Sequence, residues 1–302
     1  MDKIALLIIY NHRYDKNIEP LERIYSSRFS YIYHIVPFYD GEKENVFSVY
    51  ENSFYFEGYL AQCYQHLKNK GFTHYFVVAD DLMLNPSINE NNIFEISGIK
   101  REYPFIWELY NLWNKKYPWY HIIDALEYNP LKSGVEIKNI IPSCDKVKNK
   151  VKQYGLDSKE YIPLWLLLRL FFRKKTKRLF YFILKSFFTL RWRQKIKYPV
   201  VGAYSDILLL PQNIMNQFVN YCGAFAASDM FVELAIPTSL IMCSDTIVTG
   251  KDLLLSKSLH SSKDDFSILD KYHFSYDALE QNFPKNHLFL HPIKLSKWKK
   301  EK

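Results

Sequence analysis

The sequence predicts an α/β fold: a mixed, mostly parallel sheet flanked by helices, carrying a basic helical insertion. Three observations lead there. Residues 4–10, 31–39 and 74–79 are apolar, β-branched or aromatic runs of strand length, the continuous kind expected of strands buried on both faces. Between them, residues 17–25 and 55–70 carry apolar side chains at helical spacing, and the resulting strand-helix alternation implies βαβ units. Residues 161–197 then break the pattern with eleven Lys or Arg and no acid.

Taken in order, the first strand runs out at Tyr10-Asn11, and the second ends at Asp40-Gly41, a turn pair. The helix over 55–70 stops at Gly71, where glycine suits the left-handed residue that closes a helix. The third strand, 74–79, is cut off by Asp80-Asp81. Residues 87–160, rich in aromatics and turn formers, read as loops and short helices. Within 161–197, Leu164, Trp165, Leu167, Leu168, Phe171 and Phe172 fall on one helical face, while Arg169, Arg173 and Lys177 recur every four residues on another. From Tyr198 the α/β pattern resumes, with strands over 200–203 and 207–210, Pro211 as punctuation and a helix over 213–221. A second helix follows Ser228, a candidate N-cap with Asp229 in its first turn. Residues 236–247 form a further apolar run interrupted by Pro237, and the tail is a short strand followed by a basic end. With no internal repeat or low-complexity linker, 1–302 reads as a single domain in three stretches: 1–150, the insertion 151–197, and 198–302.

Composition narrows the function class. A hydrophobic share of 48% supplies a core and excludes a disordered chain. The aromatic share of 17% suits sugar stacking and membrane interfaces, and equally a genome-wide bias. Four scattered cysteines without a CxxC pair predict a reduced, cytoplasmic protein rather than a disulfide or zinc scaffold. MDKIALLIIY has neither a basic leader nor a cleavage site, so no signal peptide is expected. The longest uncharged stretch, 207–228, carries Gln and Asn that hydrocarbon would strand, so the chain is expected to be soluble or peripheral on the inner face of the cytoplasmic membrane.

The residues best placed for chemistry lie in HYFVVADDLMLNP, residues 74–86. An apolar strand ending in paired carboxylates puts them at the carboxyl edge of the sheet, where open α/β sheets bind ligands. Adjacent acids there are costly when unpaired. A hard divalent cation would offset their repulsion and bridge to a diphosphate. A solvated turn, with Asp80 capping the next element, is the alternative.

This pattern resembles the metal site of GT-A glycosyltransferases, where an apolar strand leads into a DxD motif. The family's first acid is Ala79 here, so the resemblance implies Asp81 as metal ligand and Asp80 as sugar or ribose contact. It further implies a GT-A-like Rossmannoid core, with 1–150 as the nucleotide-sugar half and 198–302 as the acceptor half. Tyr10 and Asn11 occupy the first strand exit, and Asp40 is similar to the family's acid that recognises a uracil-type base; a plain strand exit and a β-turn explain these residues equally. Ser228-Asp229 resembles the acidic pair that opens a helix in the acceptor half, with Ser in place of Glu. Asp229 is then the implied general base on the acceptor hydroxyl and Glu233, one turn on, its substitute; helix-dipole placement also accounts for Asp229. His291, in LFLHPIK, matches a late His that joins the metal, with His260 competing, and Lys294 would meet the diphosphate.

The implied function is transfer of a hexose from a nucleotide-diphosphate donor, a UDP-sugar by preference, to a glycan or lipid-linked glycan, assisted by Mn²⁺ or Mg²⁺. Bacterial lipopolysaccharide O-antigen or capsule synthesis is the expected setting. The competing reading is a peripheral membrane or nucleic-acid-binding module built around 161–197, where an anionic membrane surface or a packed hairpin fits better than nucleic acid. Dinucleotide and P-loop chemistry are excluded, since no G-x-G follows the first strand and no GxxxxGK[ST] occurs.

Overall fold

The computed structural model describes residues 2–112, 119–157, 160–173, 175–260 and 271–297. At its centre lie β1 (Ile4–Ile9), β2 (Ile32–Pro37), β3 (Val46–Val49), β4 (His74–Ala79), β6 (Phe105–Ile106) and β9 (Ile207–Pro211), side by side in the order β3-β2-β1-β4-β9-β6. β1 pairs parallel with β2 and β4, and β2 with β3, whereas β9 runs antiparallel to both β4 and β6. The mostly parallel α/β sheet is therefore as expected, with β9 reversed.

Every residue of β1, β4 and β9 is buried, which is why their sequences read as unbroken apolar runs. Alternate side chains feed two cores. Ala5, Leu7, Tyr75 and Val77 face the layer of helices α2 (Glu57–Leu67), α9 (Gln212–Ala226) and α10 (Val232–Cys243). Ile4, Leu6, Phe76 and Val78 face α1 (Ile18–Tyr25) and the C-terminal strand. Each such Leu, Ile or Phe stabilises the fold by roughly 1.5–3 kcal/mol on full burial. The first βα exchange matches the pattern closely, and Gly71 takes a left-handed φ of 71° just beyond α2.

Two smaller sheets complete the architecture. β5 (Met83–Leu84) and β10 (Lys257–His260) flank β11 (His287–His291), antiparallel and parallel respectively. β7 (Tyr161–Pro163) and β8 (Arg193–Lys195) form an antiparallel ribbon that closes the insertion, whose helices are α7 (Leu164–Arg173) and α8 (Lys177–Phe188). Short helices α3 (Ile93–Ser97), α4 (Ile122–Glu127), α5 (Val135–Ile140), α6 (Cys144–Gln153) and α11 (Tyr276–Gln281) occupy connections. Among the described residues, no helix is long and apolar enough to cross a membrane.

Several local expectations are overturned. Residues 200–203 form no strand and make a single bridge, Gly202 to Tyr110, at a spot where a Cβ would stand 2.5 Å from the Tyr110 ring. The apolar run 236–247 is largely helix: α10 tolerates Pro237 because the Glu233 carbonyl it would otherwise bond accepts from the Ala203 N–H instead, at 3.1 Å. α9 runs past Tyr221 to Ala226, so Ser228 caps no helix start. Its hydroxyl bonds back to the Ala224 and Phe225 carbonyls, and the Met230 N–H closes onto Phe225, a 6→1 C-terminal turn. Asp229 sits in that turn at φ 62°, and Glu233 occupies the first turn of α10 in its place. In α7, Leu164 and Leu167 are buried while Trp165, Leu168 and Phe172 point outward, so the six apolar residues divide between two faces.

Candidate functional site

The acidic pair lies at the carboxyl edge of β4, and its two members separate. Asp80 turns inward. Its carboxylate accepts from Asn17 Nδ2 at 3.2 Å and from the Asn11 backbone N–H, and its own N–H donates to Ile9. Burial, then the adjacent Asp81 charge, pushes its pKa up to about 7. Asp80 thus braces the β1 exit loop instead of facing open space. Asp81 turns the other way, with its side chain 26% exposed.

Residues 82–86 then supply the scaffold that completes the site. Met83 and Leu84 pair with Leu290 and Phe289, and Asn85 holds β11 twice, through its N–H to Leu288 and its Nδ2 to His287. Buried Arg28 pins the far side, donating to the Asn85 and Ile88 carbonyls. In this register His291 Nε2 lies 3.2 Å from Asp81 Oδ1, and the Ile293 N–H donates to the Asp81 carbonyl. The tail therefore delivers the expected His to the expected Asp. His260 pairs with His291 through the β10–β11 backbone ladder, and its side chain lies outside the described residues.

Asp206 also joins the site. Because β9 is reversed, its beginning lies on the carboxyl edge of β4: Ala79 N–H donates to the Asp206 carbonyl, and Asp206 Oδ2 is 3.9 Å from His291 Nε2. Beside it stands Tyr204, whose ring lies 5.7 Å from that of His291 and whose acidity burial, then Asp206 and Asp81, suppresses strongly. Among the described residues no three His, Cys, Asp or Glu side chains are already gathered into a metal-holding group.

No protein-family model, no curated protein and no solved structure matches the chain.

The remaining expected residues divide between this centre and other positions. Tyr10 is fully buried, its hydroxyl bonded to His34 Nδ1 at 2.9 Å, so its side chain serves the core and faces no ligand. Asp40 is exposed and ion-paired to Arg13, which holds its carboxyl below the usual range. Lys294 is half-buried three residues beyond the end of β11, next to the Ile293 contact with Asp81. Glu233 stands in the first turn of α10, and after burial its charge helps raise the pKa of the Tyr204 and Tyr110 hydroxyls. Asp229 instead lines a cleft of about 440 Å³ with Tyr55, Asp124, Tyr128 and Arg178. There Asp124 accepts from His121 at 2.8 Å and pairs with Arg178 at 2.7 Å, while His121 stacks on Phe231.

Asp206, Tyr204 and Arg178 escaped the sequence reading. The signal for Asp206 was an acid directly before an apolar run, legible only once the strand's direction is known. Arg178 was indistinguishable from the other ten basic residues of its segment.

Proposed function

We propose that the chain is a metal-assisted glycosyltransferase of GT-A type, transferring a hexose from a nucleotide-diphosphate donor to a glycan or lipid-linked acceptor in the cytoplasm, in the setting of bacterial surface polysaccharide synthesis. One observation carries this reading. Asp81 and His291, 210 positions apart, meet at 3.2 Å on the ligand-binding edge of a mostly parallel sheet.

A divalent ion fits the donor set. Asp81 Oδ1 is enclosed and makes no hydrogen bond, and a carboxylate beside an imidazole suits Mn²⁺. Two protein ligands are enough where phosphate oxygens and water fill the remaining positions, as is usual for Mg²⁺ sites, so the lack of a preformed three-residue cluster is compatible with a site completed by the donor. Asp81 and His291 would hold the ion, which when bound supplies neutralisation of diphosphate charge.

The chain's own side chains do the rest. Lys294 approaches the leaving nucleoside diphosphate as fixed positive charge. Asp80 keeps the Asn11 loop, and with it the nucleotide floor, in one geometry. Glu233, at the start of α10, takes the acceptor proton, and Asp229 helps hold the acceptor in the 440 Å³ cleft. Tyr204 backs His291, its ring 5.7 Å away.

The test is a thermal-shift titration of UDP with and without Mn²⁺. A shift that needs both, weakened at least about tenfold in Asp81→Asn and in His291→Ala, is the expected result. Equal shifts in wild type and both variants would refute the assignment.

A further inference from the structure

The insertion is amphipathic twice over. Leu164, Leu167 and Leu170 of α7 and Leu179 and Ile183 of α8 are buried in the core, which anchors the hairpin. Its outer surface is apolar too. Trp165, Leu168 and Phe172 recur at spacings of three and four along α7, and Phe172 is 75% exposed. On α8, Tyr181 and Phe188 follow one another at seven, and Phe188 is 80% exposed, with Trp192 beyond it at 59%. Of the large apolar side chains exposed among the described residues, half lie between 161 and 192, a density that a merely solvated face does not need.

Charge surrounds these rings. Lys175, Lys177, Lys185, Arg191, Arg193 and Lys195 are all exposed. The eleven basic residues of the segment, unopposed by any acid within it, exceed the net +8 of the whole chain, so the positive charge of the protein is concentrated here. The geometry suits lying flat: helices of ten and twelve residues reach about 15–18 Å, roughly half the thickness of bilayer hydrocarbon. The aromatics stand on the outer faces of two helices rather than along a groove that tracks a strand, which separates this surface from one that stacks nucleic-acid bases.

From this we infer that the α7–α8 hairpin docks the protein in the plane of an anionic bilayer surface, its outward Trp, Phe and Leu entering the headgroup layer and its Lys and Arg meeting lipid phosphates. Interfacial Trp and Tyr, snorkelling Lys and Arg, and a buried inner face fixing the hairpin to the core are the parts such a contact requires. The inference does not depend on the transferase reading.

Flotation of the full chain with phosphatidylcholine vesicles, with and without phosphatidylglycerol, tests it. The protein is expected to float at least about tenfold better with the anionic vesicles and to be released by salt. Two variants at exposed positions, Phe172→Ser/Phe188→Ser/Trp192→Ser and Lys177→Glu/Lys185→Glu/Arg193→Glu, should each lose that binding while melting with the wild type. Trp emission quenched by brominated lipid in the unaltered protein gives a readout independent of any variant's folding. Equal flotation with neutral vesicles, unchanged binding in both variants, or absence of quenching would overturn the proposal. So would self-association abolished by the apolar variant without vesicle binding, or binding of single-stranded nucleic acid in place of vesicles.

Discussion

His34 shows how far a single buried group can be held from its ordinary behaviour. It lies wholly inside, 2.9 Å from the Tyr10 hydroxyl through Nδ1, and burial lowers its pKa from 6.5 to about 4 despite Glu22 3.6 Å from Nε2. The unfolded chain therefore binds a proton between pH 6.5 and about 4 that the folded chain refuses. Stability is unpenalised above that window and falls as pH drops through it. Chemical denaturation across pH 4–7 should show this loss in wild type and a flatter profile in His34→Gln. The same scale explains why Asp80 and Asp81, identical neighbours in sequence, do different work. One is spent on Asn17 and Asn11, and the other reaches His291. Nothing in the dipeptide says which carboxylate turns inward; the side-chain alternation of the strand, set by β1 and β9 on either side, does.

Among the elements, α8 is tied to α4 by one residue. Arg178 pairs with Asp124 at 2.7 Å and with Glu127 at 2.5 Å, and Asp124 is only 5% exposed. Arg178→Ala leaves a buried carboxylate with His121 as its remaining partner, and because the guanidinium is itself partly exposed the cost should be about 1–3 kcal/mol. Urea melts should show Arg178→Lys recovering only part of it, since an ammonium cannot reach both carboxylates in one plane. α10 illustrates the opposite problem, a helix that its sequence disguised. Apolar residues on every side and Pro237 within leave only an interrupted apolar run with no helical face, and the helix holds because it is buried all round and Ala203 takes up the carbonyl that proline frees. The start of α10 at Val232, three residues beyond the expected start, moves the first-turn acid from Asp229 to Glu233, and with it the proposed general base.

For the molecule as a whole, the decisive contact is between residue 81 and the tail. β11 lies in the core, with Phe289 fully buried against Trp107 and Tyr204. Phe289→Ala should cost about 3–5 kcal/mol by opening a cavity. It should also weaken any UDP–Mn²⁺ thermal shift, because the cavity lies two residues from His291. Titration of the folded variant below its melting point separates the two effects, and an unaltered shift would show that β11 does not set the site. The hairpin joins this picture through Arg178, which stands both on α8 and in the cleft that holds Asp229. A membrane beneath α7 and α8 would thus lie next to the proposed acceptor cleft, which is where a lipid-linked acceptor would arrive.

By itself the sequence determined the α/β class, the first βαβ strands and helices, the acidic pair at the end of β4, and the concentration of charge in 161–197. These are local matters of periodicity and composition, and neighbours in sequence are enough to set them. Tertiary structure alone decided that β9 runs backwards, that Asp206 therefore stands near His291, that Glu233 rather than Asp229 opens α10, and that the Trp and Phe of the hairpin point outward. Each of those depends on which distant segment lies alongside, and strand direction, register and side-chain facing are settled by packing that no short window of residues contains.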